Sequence, residues 1–150
     1  MWSLPNLLLA CLAVAAGGSF VAQQTVNANL RAELGSAWWA GCISYAGGTL
    51  AMLVMILLLR EPLLSAGMVG RSTWWSWTGG LLGAFYIAVS ILLLPRLGAT
   101  TVVGLIVVGQ MLTSVAFDHF ALMGAPHYPI SSARFLGAVL LIAGAVLTRL

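Results

Sequence analysis

The chain contains five apolar runs, each long enough for a helix to cross a lipid bilayer. A membrane-spanning helix needs about 20 residues. The connections between the runs are short, and within these 150 residues they leave no room for a separate soluble domain. The segment Pro95-Arg96-Leu97-Gly98 predicts a tight turn between the third and fourth runs. The sequence therefore predicts an all-α integral membrane protein with a single transmembrane domain, whose spans lie at about 4–26, 37–59, 75–94, 98–117 and 133–150.

Charged residues are too few for a water-facing surface. They make up 6% of the chain, whereas a soluble domain carries about 25%. The six basic residues are arginines that stand singly between apolar runs, so no basic stripe predicts a nucleic-acid partner. Cys11 and Cys42 both lie inside apolar runs and are expected to pack as small hydrophobes. We expect no cofactor and no metal site.

Asp118-His119 is the one pair that suggests an enzyme, since a carboxylate beside an imidazole can do acid–base chemistry. However, neighbouring residues on a helix point about 100° apart. No nucleophile or further ligand stands in a convincing relation to the pair, so we expect no catalysis. We interpret Asp118 instead as the ion-pair partner of Arg134, because the two residues flank the same loop.

A polar cluster ends the first apolar run. Phe20, Gln24, Asn27 and Arg31 follow at i, i+4, i+7 and i+11, so on a helix they share one face. Amides that face lipid are costly, whereas amides that face a protein interior or a cavity find partners. Two interpretations remain open. The amides hydrogen-bond neighbouring helices, or they contact a substrate.

Further polar side chains lie within other spans. Gln110 stands well inside the fourth span, and Ser114 follows it at i+4. Tyr45 and Tyr86 lie on stripes that also contain glycines, which indicates either close helix packing or a cavity wall. No acidic residue lies in the middle of a span, which disfavours both a cationic substrate and simple proton coupling. Such an interior suits a neutral, zwitterionic or amphipathic small molecule.

The arginines do not favour one orientation in the membrane. Three of them (Arg60, Arg71 and Arg134) fall on the amino-terminal side of the predicted spans, and the other three (Arg31, Arg96 and Arg149) fall on the opposite side. The positive-inside rule needs an imbalance, and here there is none. An even split also arises readily by chance. We nevertheless predict that the chain inserts both ways and pairs with an antiparallel second copy, giving ten spans in an inverted repeat.

Several segments together resemble the five-span YdcZ-type family of the drug/metabolite transporter superfamily. One departure is Ala121, where the resemblance leads us to expect glycine. The segments cover nearly the whole chain in order: Gln23–Arg31, Ser44–Leu50, Gly79–Tyr86, Pro95–Gly98, Gly109-Gln110, Asp118–Phe120 and Arg134–Gly137.

The resemblance implies a carrier or exporter of the bacterial inner membrane that forms half of a ten-span unit, with itself or with a paralogous five-span subunit. Combined with the residues, it predicts transport of a small molecule by alternating access. Gln24 and Asn27 would bind or gate, Gln110 and Ser114 would supply polar contacts in the fourth span, and Tyr45 and Tyr86 would form walls. The alternative is a non-transporting scaffold or accessory subunit, in which the amides only hold helices together.

Overall fold

A computed structural model describes residues 4–124 and 126–148, and every regular element in those two ranges is a helix. Six α-helices follow one another, with 3₁₀ turns at Trp74–Thr78 and Leu122–Gly124. The protein is therefore an all-α membrane protein. The helices are α1 (Leu4–Leu34), α2 (Ala37–Leu58), the short α3 (Ala66–Gly70), α4 (Gly79–Leu97), α5 (Ala99–Phe120) and α6 (Ser132–Leu147).

Four helical segments among the described residues are long and apolar enough to cross a membrane. These are α1, α2, α5 and the segment Trp74–Leu97, which joins the 3₁₀ turn to α4. The fifth predicted span, 133–150, corresponds to α6, an apolar helix of 16 residues. Its last two predicted residues, Arg149 among them, lie outside the described residues.

Helix α1 continues well past the predicted end of its span at residue 26. Its 31 residues would extend about 46 Å at 1.5 Å per residue. Residues 27–34 contain neither glycine nor proline, so nothing stops the helix before Gly35, whose φ is +67°. The amide cluster consequently lies about 10 to 15 Å before the helix end, and not at the point where the helix stops.

The turn between α4 and α5 is shorter than predicted. Helix α4 runs through Pro95 to Leu97, and the chain breaks at Gly98 alone, with φ +80° and ψ 155°. Glycine reaches this conformation without the steric penalty of a side chain. Proline at 95 lacks the N–H that would bond the carbonyl of Ile91, four residues earlier. That carbonyl needs another donor.

The chain divides into two compact units, from Met1 to Pro95 and from Arg96 to Leu150. In the first unit, a small core forms where α2 meets α4. Its fully buried members are Ala40 and Ile91, and Leu30 of α1 packs against the same cluster. A Cβ atom at Gly41 would lie 3.7 Å from Ile87, an ordinary contact distance, so this face of α2 lies against side chains of α4.

In the second unit, α5 packs against α6 through small residues. A Cβ atom at Gly104 would lie 3.5 Å from the Cβ of Ala145. The hydroxyl of Thr101 donates to the carbonyl of Thr148 at 3.5 Å. Helix α5 ends at Ala121, whose φ of 49° and ψ of 42° are left-handed. This conformation gives a physical reason why glycine was expected at this position.

Candidate functional site

The first unit contains a cavity of about 460 Å³ between α1, α2 and α4. This volume lies within the range of about 300–1,000 Å³ that is usual for small-molecule sites. Three residues predicted from the sequence as site residues, Gln24, Tyr45 and Tyr86, are among its lining side chains. The complete lining is Phe20, Gln23, Gln24, Ser44, Tyr45, Gly48, Thr49, Met52, Tyr86 and Ile87.

Gln24 is the most deeply buried polar group of this cavity, with 1% of its surface exposed. Neither its Oε1 nor its Nε2 atom has a hydrogen-bond partner among the described residues. The hydroxyl of Tyr86, which lines the same cavity, is also buried without a partner there. Buried polar groups are nearly always hydrogen-bonded in folded proteins, so these groups are exceptional.

Aromatic rings form one wall of the cavity. The ring of Phe20 on α1 lies 5.0 Å from the ring of Tyr86 on α4, centroid to centroid, at an angle of 41°. Tyr45 reaches from α2 to α4, where its hydroxyl occupies the space that a side chain at position 83 would need. Gly83 therefore makes room for Tyr45. In the sequence, the glycine stripe that contains Gly83 and Tyr86 indicates either close helix packing or a cavity wall.

Residues that sequence reasoning did not select complete the polar lining. Nε2 of Gln23 donates to the hydroxyl of Ser44 at 3.4 Å and so links α1 to α2. Gln23 lies at i+3 from Phe20, and Thr49 at i+4 from Tyr45, so both belong to faces already identified. The spacing was available as a signal, but several residues on every face of these helices fit it equally well.

Asn27 and Arg31 lie on the same face of α1, beyond the cavity. Asn27 is 4% exposed and its Nδ2 atom has no partner within the described ranges, but it does not line the cavity. Nη1 of Arg31 donates to the carbonyl of Ile91 at 3.2 Å. This is the carbonyl that Pro95 leaves without a helical donor.

The remaining predicted site residues belong to the second unit. Gln110 and Ser114 are exposed on α5 and do not line the cavity. Nη1 of Arg134 lies 3.2 Å from Oδ2 of Asp118, an ion pair that is partly exposed. The Arg134 guanidinium also lies 5.4 Å from the centre of the Tyr128 ring, so it joins the loop after α5 to the start of α6.

The cavity is uncharged. No acidic, basic or histidine side chain of the described residues lines it, and no group of three or more metal-binding side chains occurs in the described ranges. The lining combines amide, hydroxyl and aromatic groups. It can therefore hold a molecule by hydrogen bonds and ring contacts, without a counter-charge.

Comparison with known families identifies the class of protein. The family model described as "Putative inner membrane exporter, YdcZ" matches residues 8–147. The chain belongs to the YdcZ family. It is 29% identical over 141 residues to the "Inner membrane protein YdcZ" of Escherichia coli (strain K12), covering 93% of each chain. No solved structure matches it. The chain is thus a multi-pass protein of the inner membrane.

Three of the segments that resemble the YdcZ family surround the cavity. Gln23–Arg31 provides its two glutamines and Ser44–Leu50 provides four lining residues of α2. Gly79–Tyr86 provides the lining residue Tyr86, and also Gly83, which faces Tyr45. The segments that identify the YdcZ family and the side chains that form the cavity therefore overlap in this protein.

Proposed function

We propose that this protein exports a small neutral, zwitterionic or amphipathic molecule across the inner membrane by alternating access. Gln24 contacts the cargo, Tyr45 and Tyr86 form the walls of its site, and Asn27 lies where the path is gated. One observation carries this proposal. A cavity of small-molecule size contains a buried carboxamide with no partner among the described residues.

Membership of the YdcZ family supports an export role, and the unpartnered amide favours cargo binding over helix packing. A glutamine that only held helices together would be expected to hydrogen-bond another helix. In the described residues, Gln23 makes such a bond to Ser44, whereas Gln24 makes none. Gln23 thus has the bond expected of a residue that packs helices together, and Gln24 has the free amide expected of a residue that binds cargo.

The functional unit in this proposal is an antiparallel pair of copies, or a copy with a paralogous five-span subunit. The even distribution of arginines supports it, because nothing in that distribution fixes one orientation. Gln110 supports it as well. An exposed amide near the middle of a membrane helix is better satisfied by a second protein surface than by lipid. In an antiparallel pair, Gln110 and Ser114 would provide polar contacts for the path.

Vesicles reconstituted with the purified protein test the function. The solutes are radiolabelled indole-3-acetamide, tryptophan and tryptamine, which are neutral, zwitterionic and cationic. We expect saturable, protein-dependent movement of the neutral or zwitterionic solute above that in empty vesicles. Gln24→Met should lower it by about tenfold or more, because an interaction with the cargo is lost. Asn29→Leu, which removes an exposed amide of the same helix outside the cavity, should leave it unchanged.

The scaffold alternative predicts a different result for the same variants. If Gln24 holds helices together, Gln24→Met should disrupt the gel-filtration profile and lower the thermal unfolding temperature, and Asn29→Leu should not. That outcome, or the absence of saturable movement for all three solutes, would overturn the proposed function.

A further inference from the structure

The lining of the cavity restricts its cargo more narrowly than the proposed function does. The polar side chains of the lining are two glutamines, a serine, a threonine and two tyrosines. A cation or an anion in this site would give up hydration without meeting an opposite charge. An uncharged molecule has no charge to dehydrate. The neutral class is therefore favoured over the zwitterionic class.

The unpartnered carboxamide of Gln24 specifies the polar group of the ligand. Its acceptor Oε1 and its donor Nε2 lie side by side, and both are buried without a partner in the described residues. A ligand group that carries a donor and an acceptor side by side can satisfy both in one planar arrangement. Carboxamides, lactams and ureas have this pattern. A hydroxyl or an ether cannot fill both positions with the same geometry.

The aromatic wall specifies the body of the ligand. Phe20 and Tyr86 stand 5.0 Å apart beside the amide, and Ile87 and Met52 add apolar surface. Tilted aromatic pairs of this kind accept a further ring by edge or offset contacts, and methionine adapts to its outline. The buried hydroxyl of Tyr86 lies beside Gln24 without completing a hydrogen bond to it, so it offers a ligand of this site an additional donor or acceptor.

We propose that the cavity binds an uncharged aromatic molecule that carries a carboxamide or an equivalent donor–acceptor group, with Gln24 forming a paired amide contact. This inference rests on the proposed function, since it names the cargo class of the same site. It concerns binding alone. It can therefore be tested without any transport measurement.

The test uses isothermal titration calorimetry on the full chain in lipid nanodiscs. The four titrants share an indole ring: indole-3-acetamide, tryptamine, indole-3-acetate and 3-methylindole. We expect the amide to bind at least about tenfold more tightly than each of the others. Burying the two charged analogues leaves their charge unpaired, and 3-methylindole leaves the carboxamide of Gln24 unpaired.

Two variants assign the preference to Gln24. Gln24→Met keeps a similar length but removes the donor–acceptor pair. Indole-3-acetamide should then bind this variant no more tightly than 3-methylindole does. Asn29→Leu removes an amide of α1 outside the cavity and should keep the full preference. The proposal is wrong if the four titrants bind within about threefold of one another, if none binds saturably, or if Gln24→Met keeps the preference.

The binding test and the transport test can contradict their proposals independently of each other. A preference for indole-3-acetamide in nanodiscs, without saturable movement of any of the three solutes into vesicles, would overturn transport and support the assigned ligand class. Saturable transport of tryptophan without a preference for the amide in nanodiscs would overturn the ligand class and support transport.

Discussion

The absence of a side chain at Gly83 of α4 leaves space for Tyr45, which lines the cavity. A Cβ atom at this position would overlap the hydroxyl of Tyr45, whereas the ring atom Cζ lies 3.4 Å away. Gly79, one turn earlier on the same helix, has nothing within 4 Å. The two glycines look alike in sequence, but only Gly83 faces a side chain from another helix.

We therefore predict that Gly83→Ala lowers stability by about 1–3 kcal/mol, because overpacking forces Tyr45 to move. Tyr45→Phe in the same chain should restore most of that loss, since it removes the overlapping oxygen. Gly79→Ala should be neutral or slightly stabilising, as alanine favours helix over glycine. Thermal unfolding in detergent measures all four chains. Equal losses for the two glycine variants, or no rescue by Tyr45→Phe, would contradict this role of Gly83.

Ala121 carries a local backbone penalty at the end of α5. Its φ of 49° lies in the left-handed region, which costs a residue with a Cβ atom about 1–2 kcal/mol relative to glycine. Ala121→Gly should therefore raise the free energy of unfolding by about 1 kcal/mol. Ala116→Gly, inside the same helix, should lower it by about 0.5–1 kcal/mol. Thermal unfolding of the two variants should shift in opposite directions; a shared sign would disprove the assignment.

A hydrogen bond between α1 and α4 compensates for a proline in α4. Pro95 removes the donor for the carbonyl of Ile91, and Arg31 supplies one at 3.2 Å. Ile91 is fully buried, so its carbonyl would otherwise remain unsatisfied in an apolar setting. The polar end of α1 thus stabilises the last turn of α4.

A double-mutant cycle tests this link. Arg31→Met should destabilise the protein by about 1.5–3 kcal/mol, the usual value for a hydrogen bond to a charged group. In a Pro95→Ala background the loss should fall to less than half, because the new amide N–H can bond Ile91 within the helix. Arg96→Met is the matched control. It removes an exposed arginine assigned to the same membrane side, and should change stability by less than about 0.5 kcal/mol.

The cycle would count against the link if Arg31→Met cost the same with proline and with alanine at position 95. It would also count against it if Arg96→Met and Arg31→Met had equal effects, since both lower the arginine count of one side by one. Either result would assign the effect of Arg31 to its charge and not to the carbonyl of Ile91.

The sequence was sufficient to predict an all-α membrane protein, and it selected three side chains that line the candidate cavity. Long apolar runs imply membrane helices whatever the packing, and the face that contains Phe20 and Gln24 does border the cavity. Gln23 and Ser44 were not selected because nearly every face of these helices is apolar, so burial leaves little periodic pattern. The bond between Arg31 and Ile91 joins residues 60 positions apart, and no local pattern predicts it.

The surroundings of Gln110 could not be predicted from the sequence for a different reason. The apolar run predicts how deep Gln110 lies in the fourth span, but it does not predict which neighbour its side chain faces. The structure leaves Gln110 exposed on α5. An antiparallel pair would give this amide a protein neighbour, and that arrangement depends on how the chain is oriented in the membrane.

Orientation is testable through the arginines. We predict that a phosphatase active only outside the cytoplasm and a fluorescent protein active only inside it both report activity when fused to the carboxyl terminus. Arg60→Gln with Arg71→Gln leaves one arginine against three and should fix one orientation. Arg96→Gln with Arg149→Gln should fix the opposite one. Each fixed chain alone should fail to transport, and co-expression of the two should restore activity, because only then can antiparallel pairs form. A single reporter signal for the unaltered chain would exclude self-pairing in opposite orientations, and full transport by one fixed chain would show that no inverted partner is needed.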